Sequence, residues 1–390
     1  MILKKIKLHN WKNFQNCEVN LTERCFIIGA NASGKSNFID ALRFLRDIAK
    51  QSGGLQTAVE ERGGITKIRC LAARTQTNVS ITVELGNPDE EQNLWRYHLD
   101  FAHTGGGVIK SQAKIITEEV YSYREKDYIR KRNSNSTDED EETLKYTHLE
   151  QATANREFRE IQAFFQDIEY LNVIPQMVRE SSSVVNSFTK EDYYGRNFLE
   201  KLAKMNEKTR NSYFRKINEC LKIAVPQLTE LQFVKDKMGI PHLEARYEHW
   251  RAKGSKQQEM QFSDGTLRLI GFLFALLDNN GVILLEEPEI NLHSGIIAQI
   301  PAFISKIQRT KKSKSQILIT THSYDILSDS GISTDEVLLL QNTQKGTTIQ
   351  KVSDIADIKS IVNAGFSVAD AVIPFTKPKE IEKLSQLTLF

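Results

Sequence analysis

The sequence predicts an α/β fold of two lobes with an inserted helical arm. Three observations carry that expectation. An apolar run, CFII, enters a glycine-containing loop, GANASGKS, which opens a run with helical apolar spacing, FIDALRFL. The last third returns to strand–helix alternation, with GVILLEE and SQILITTHS reading as buried parallel strands. Between these ends, Thr189 to Pro226 reads as a strongly helical, charged segment.

Composition sets outer bounds. A chain of 390 residues with 40% apolar side chains can bury more than one core. Its 52 basic and 50 acidic residues leave a net charge of +2, so overall charge does not mark a nucleic-acid binder. The four cysteines, Cys17, Cys25, Cys70 and Cys220, lie far apart, which argues against a zinc site or a disulfide framework. MILKKIKLHN lacks the apolar core of a signal peptide, and LIGFLFALL is about half the roughly 20 residues of a membrane helix. A soluble, cytoplasmic protein with no membrane partner is expected.

Along the chain, LKKIKLHNW partly alternates apolar and basic residues, as an edge strand would. RCFIIG follows as a buried strand, and Phe38, Leu42, Leu45 and Ala49 then recur at helical spacing. NVSITVEL and WRYHLDFA read as strands, the first closed by the turn signal GNPD. Tyr121 to Glu150 is dominated by charge and reads as an exposed hairpin or loop, with Asp138–Glu142 as a solvated tip. FREIQAFFQDIEYL reads as a helix and YLNVIP as a strand returning to the core. Phe198, Leu202, Met205, Phe214, Ile217 and Leu221 are the apolar positions of the arm; LTELQFV and HLEARYEHW follow as an antiparallel pair.

The loop spacing is G-x-x-x-x-G-K-S from Gly29 to Ser36. Glycines at both ends let backbone N–H groups approach phosphate oxygens, and the following helix offers its positive N-terminus. Asn31, Ala32, Ser33, Gly34 and Asn37 complete the expected cradle. In this pattern Lys35 reaches the β- and γ-phosphates and the Ser36 hydroxyl coordinates Mg²⁺. VILLEEPE then ends a strand in two carboxylates, whose side chains should point to opposite sides. Glu286 is assigned to the Mg²⁺ shell and Glu287 to the attacking water. QFSDGTLRLIGFLFALL places Ser263 and Gly265 before an apolar helix, and ILITTHS ends a buried strand with His322, suited to sensing a γ-phosphate. Alone, a charged strand end or a lone strand-end histidine is usually structural; the order of the pieces carries the weight.

That order resembles the ABC-type ATPases, P-loop NTPases with Walker A at Gly29–Ser36, a signature loop at Phe262–Thr266, Walker B at Val282–Glu287 and a switch histidine at His322. With Lys35 and Glu286 at opposite ends of the chain, and with IKLHNWKNF and SNFIDALRFL, the match is nearer the SMC, RecF and OLD branch. EEPEINLH and THS resemble stand-alone predicted ATPases common in anti-phage defence systems. The resemblance covers roughly residues 1–85 and 255–345.

It implies an ATPase that takes ATP and Mg²⁺, with an ABC head made of lobe I at residues 1–180, a helical arm at 185–226 and lobe II at 227–390. Ser263 and Gly265 would contact the γ-phosphate of ATP on the opposite subunit, so that ATP closes a homodimer. Gln176 would sit at the Q-loop and complete the Mg²⁺ shell, and Ile290–His293 would be the D-loop. Arg62 is expected to be an exposed loop residue, with phosphate contact as the alternative. F-S-D-G-T in place of L-S-G-G-Q, and Glu in place of Asp at 286, make slow hydrolysis plausible. The 68 residues after His322 are too few for the Toprim nuclease domain of the OLD type. A switch that regulates or scaffolds a separate effector, a nuclease or toxin in phage defence, is the leading expectation. The alternative is a RecF/SMC-like DNA-binding ATPase of DNA repair, motivated by Arg130–Arg132 and Lys311–Lys314; a transporter motor subunit ranks third.

Overall fold

Two six-stranded sheets and one three-stranded sheet organise the chain. The computed structural model describes residues 1–73, 77–104, 112–135, 140–179, 198–248, 254–279, 281–310, 315–377 and 383. The first sheet is antiparallel, in the order β2 (Phe14–Asn20), β1 (Ile2–Trp11), β4 (Val79–Gly86), β5 (Asn93–Thr104), β6 (Gln112–Ser122), β7 (Asp127–Asn133). Its inner face packs on the helix Lys35–Ala49, with Phe44 between Trp11 and Phe101 at ring-centroid distances of 5.2 and 5.3 Å.

β1 corrects an expectation: it is an interior strand, hydrogen-bonded to β2 on one side and β4 on the other. Its basic alternation marks an open face rather than an open edge. Lys5 and Lys7 both reach Glu18 at 3.0 Å on the solvent side, while Ile6 and Leu8 enter the core.

The central sheet runs β15 (Gly346–Lys351), β14 (Val337–Thr343), β3 (Arg24–Gly29), β13 (Gln316–Thr320), β12 (Val282–Glu286), β8 (Glu169–Leu171). All pairings are parallel except the β14–β15 hairpin. β3 and β13 are buried at every position, as strands covered on both faces must be. Register brings their C-terminal ends level: Glu286 lies opposite Thr320, Thr320 opposite Ile27, and Gly29 opposite Leu340. Loops leaving this edge therefore converge, the place where open α/β sheets bind ligands.

A second core surrounds the helix Asp264–Asp278 and includes the small sheet β11 (Ser255–Gln258), β10 (Pro241–Tyr247), β9 (Leu228–Lys235). The helices Phe198–Lys204 and Glu207–Ala224, read from sequence as part of an arm, bury Leu199, Leu202, Phe214, Ile217 and Leu221 in this core. The Asn218 amide fastens the second of them to β9, donating to and accepting from the Leu231 backbone at 2.8 Å. Residues 185–197 of that arm lie outside the described residues.

The charged segment around Tyr121–Asn133 is the β6–β7 hairpin, but it does not present a free basic cluster. Arg132 is buried and pairs with Glu118 at 2.7 Å; Arg130 pairs with Glu157 at 2.9 Å and Lys131 with Glu119 at 3.3 Å. Lys311–Lys314 and the first half of the acidic run Asp138–Glu142 fall outside the described residues. Among the described residues, no helix is long and apolar enough to cross a membrane.

Candidate functional site

The glycine loop leaves β3 at Gly29 and delivers the chain to the helix Lys35–Ala49. Two positions in it admit only glycine. A Cβ at Gly29 would stand 2.5 Å from Ser33 Oγ and 2.6 Å from the Leu340 carbonyl oxygen. Gly34 has φ +97°, and a Cβ there would overlap the Asn13 side chain. Gly34 also supplies no side-chain cap, and the helix's first turn carries no acidic residue. Its leading N–H groups are left for an outside anion.

Lys35 is 7% exposed, and its Nζ donates to the Gly29 and Ala30 carbonyls at 3.2 and 3.3 Å. Burial pushes its ammonium below the ordinary lysine range, against the pull of Glu287, Glu289 and Glu286. Ser33 Oγ is buried with no hydrogen-bond partner among the described residues. Ser36, Asn31 and Ala32 are exposed at the loop, Ala32 with φ +61°. An orphaned hydroxyl, a clearance only glycine allows, an uncapped helix start and a desolvated ammonium together fit a phosphate chain.

Asn37 faces the other way, donating to Asn13 Oδ1 at 2.9 Å while its carbonyl accepts from Trp11 Nε1 at 2.8 Å. Asn13, which lies in the IKLHNWKNF stretch, is a part of the site to which no role was assigned from sequence. Its Nδ2 donates to the Ser33 carbonyl at 3.0 Å and to Thr347 Oγ1 at 2.6 Å, and Thr347 Oγ1 donates to the same carbonyl at 2.8 Å. The β1–β2 turn and β15 thus hold the loop from behind.

The carboxylates diverge at the end of β12. Glu286 turns toward β8, where its Oε2 accepts from the Tyr170 hydroxyl at 2.9 Å, and the Arg43 guanidinium lies 4.1 Å from the Tyr170 ring centre. Glu287 turns toward β13. It has φ +42°, its N–H donates to the Thr320 carbonyl at 3.0 Å, and its Oε1 stands 3.4 Å from His322 Nε2. That histidine contact holds the Glu287 carboxyl below the usual range, with Lys35 and Arg268 assisting against burial. Glu289, to which no role was assigned from sequence, accepts from the Thr321 hydroxyl at 2.6 Å and the His322 N–H at 3.1 Å, and burial pushes its carboxyl up. It ties the turn after β12 to the end of β13.

Lys35, Glu286, Glu287 and His322 are therefore gathered at one edge of the central sheet. Ser263 and Gly265 stand at the N-terminus of the helix Asp264–Asp278, which packs in the second core. Ser263 caps the helix Asp264–Asp278, its Oγ accepting from the Thr266 N–H at 3.2 Å, and a Cβ at Gly265 would stand 2.5 Å from the Asn291 carbonyl oxygen. Gln176 is exposed on the short helix Pro175–Arg179. Arg62 is not the exposed loop residue expected. Its side chain is 8% exposed, and the guanidinium donates to Asp40 at 2.9 and 3.0 Å and to Asp47 at 2.8 Å. Two aspartates on the core-facing helix Lys35–Ala49 require a buried cation, which fixes Arg62 behind the loop.

The fold defined by this sheet and loop is that of a P-loop NTPase with an ABC-type ATPase head, of the SMC/RecF-like kind. The chain belongs to the family described as an AAA domain, putative AbiEii toxin, type IV toxin–antitoxin system, whose model matches residues 25–328. Residues 3–46 also match the P-loop-containing region of an AAA domain. Among solved structures, an SMC head bound to the C-winged helix domain of ScpA aligns with a TM-score of 0.55 at 12% identity, covering 90% of this chain and 98% of that one. An SMC head domain with an extended coiled coil, bound to the C-terminal domain of ScpA and derived from Pyrococcus furiosus, aligns with a TM-score of 0.51 at 11% identity, covering 93% and 99%. No curated protein matches.

Proposed function

We propose that this chain binds and hydrolyses ATP with Mg²⁺ and acts as a homodimeric switch for a separate effector protein, a nuclease or toxin in anti-phage defence. The observation that carries the ATPase reading is the meeting of Lys35, Glu286 and the Glu287–His322 pair at the ends of β3, β12 and β13. Lys35 and the N–H groups of residues 34–36 hold the β- and γ-phosphates. Ser36, Glu286 and Gln176 would hold Mg²⁺, which would neutralise charge on the phosphate oxygens. Glu287 accepts a hydrogen bond from the water that attacks the γ-phosphorus in line with the bond to the leaving oxygen, and His322 orients that carboxylate. The low carboxyl of Glu287 suits it to align water rather than to remove a proton early.

Ser263 and Gly265, at the start of the helix Asp264–Asp278, would meet the γ-phosphate held by a second copy. Lobe I at 1–180, the segment 185–226 and lobe II at 227–390 are the proposed units of that movement. ATP favours the closed dimer by binding it better than the open form. The effector role is supported by the family's description as a putative toxin of toxin–antitoxin systems.

The test is the solution mass of the Glu287→Gln protein with and without Mg-ATP, alone and with the products of neighbouring genes. A doubled mass with ATP is expected, with a partner retained at fixed stoichiometry. A mass indifferent to ATP would remove the switch, and a chain that never retains a partner would remove the effector role.

A further inference from the structure

The signature loop carries a carboxylate where a polyphosphate is proposed to arrive. Asp264 lies between Ser263 and Gly265, the two residues assigned to the second copy's γ-phosphate, and it is the first residue of the helix Asp264–Asp278. A bare carboxylate there would repel the anion and offset the attraction of the helix N-terminus. Arg179 answers this charge from another segment. A single guanidinium nitrogen, Nη2, donates to Asp264 Oδ1 at 2.6 Å and to the Phe262 carbonyl at 2.7 Å. The contact neutralises the carboxylate and pins the backbone one residue ahead of Ser263. Both side chains keep some exposure, 19% for Arg179 and 34% for Asp264, so the pair lies within reach of an approaching molecule. Arg179 also ends the short helix that carries Gln176, so the clamp joins that helix to the loop.

We propose that Arg179 is a positioning residue for the nucleotide-bridged dimer: its pairing with Asp264 makes the F-S-D-G-T loop acceptable to the triphosphate held by a second copy of this chain. The inference rests on the shared-site reading above. It accounts for an aspartate at the centre of an anion-binding loop, because the aspartate never meets the phosphate unpaired. Arg268, one turn further along the same helix and electrostatically coupled to Asp264 and Glu287, adds a second positive charge on that side.

The test uses the full chain with Glu287→Gln, alone and combined with Arg179→Ala, Asp264→Asn, or both. Dimer dissociation is measured by sedimentation in saturating Mg-ATP, and nucleotide affinity with a fluorescent ATP analogue at concentrations where the chain is monomeric. Arg179→Ala is expected to weaken the ATP dimer about thirtyfold, in the range for truncating one partner of a close charge pair. Asp264→Asn should leave it within about threefold of the parent, and the double variant should recover to the same level, since removing the carboxylate removes the need for its cation. Monomer affinity for nucleotide should stay level throughout. A double variant as weak as Arg179→Ala would overturn the proposal, because only the Phe262 clamp would then matter; so would normal dimerisation by Arg179→Ala. If the parent itself gains no mass with ATP, the shared-site reading fails and this inference falls with it.

Discussion

Arg62 decides more at the residue scale than its place in a glycine turn suggests. It is the cation shared by Asp40 and Asp47, two carboxylates on the helix that starts at the phosphate loop. Burial alone would raise the Asp47 carboxyl, yet Arg62, Arg46 and Lys50 bring it from 3.8 down to about 2. A folded value below the unfolded one means stability that is full above about pH 4 and lost as pH falls toward 2, worth about 2 kcal/mol from Asp47. Arg62→Ala should cost about 3 kcal/mol at pH 7, because both carboxylates would be left buried and under-paired. The deficit should narrow as pH falls from 4 toward 2, since protonation relieves the variant and weakens the parent. Urea unfolding across that range checks it; a deficit independent of pH would assign the loss to packing against Phe44, 5.2 Å from the guanidinium.

Elements explain which parts of the site were legible in the sequence. The glycine loop, the buried strands around it and the double carboxylate were readable because each rests on a local pattern of a few residues. The antiparallel pair β9–β10 was readable for the same reason. β1 was misplaced at an edge because alternation reports which faces are wet, and an open sheet face looks the same as an open edge. The Asn13–Thr347 bracket was illegible: its partners lie 334 positions apart, and although IKLHNWKNF contains Asn13, nothing in that stretch points to Thr347. Yet together they hold the Ser33 carbonyl and set the loop's shape. Asn13→Ala is therefore expected to lower nucleotide affinity about tenfold, more than its effect on overall stability, since one lost net hydrogen bond costs about 1 kcal/mol. Calorimetric binding beside thermal unfolding separates the two; a stability loss with unchanged affinity would make Asn13 a fold residue only. Glu289 is a similar case, visible in sequence only as one more glutamate of EEPE, but in the fold the link between His322 and the turn after β12.

At the scale of the whole molecule, the proposal that Ser263 and Gly265, at the start of the helix Asp264–Asp278, serve the ATP of a second copy predicts a shared site. In a two-fold symmetric dimer each site would take the glycine loop from one protomer and the signature loop from the other. That arrangement makes complementation quantitative. Lys35→Ala removes the loop's cation, and Ser263→Arg blocks the signature loop, so each variant alone should hydrolyse almost no ATP. In a mixed dimer, the Lys35 of the Ser263→Arg chain faces the intact Ser263 of the Lys35→Ala chain. One of its two sites is then whole. With random pairing about half the dimers are mixed, so an equal mixture should recover about a quarter of the parent's activity per chain. Phosphate release measured on the mixture checks this. Activity that stays at the level of the separate variants would place both residues in one protomer's site and leave ATP with no role in closing the dimer.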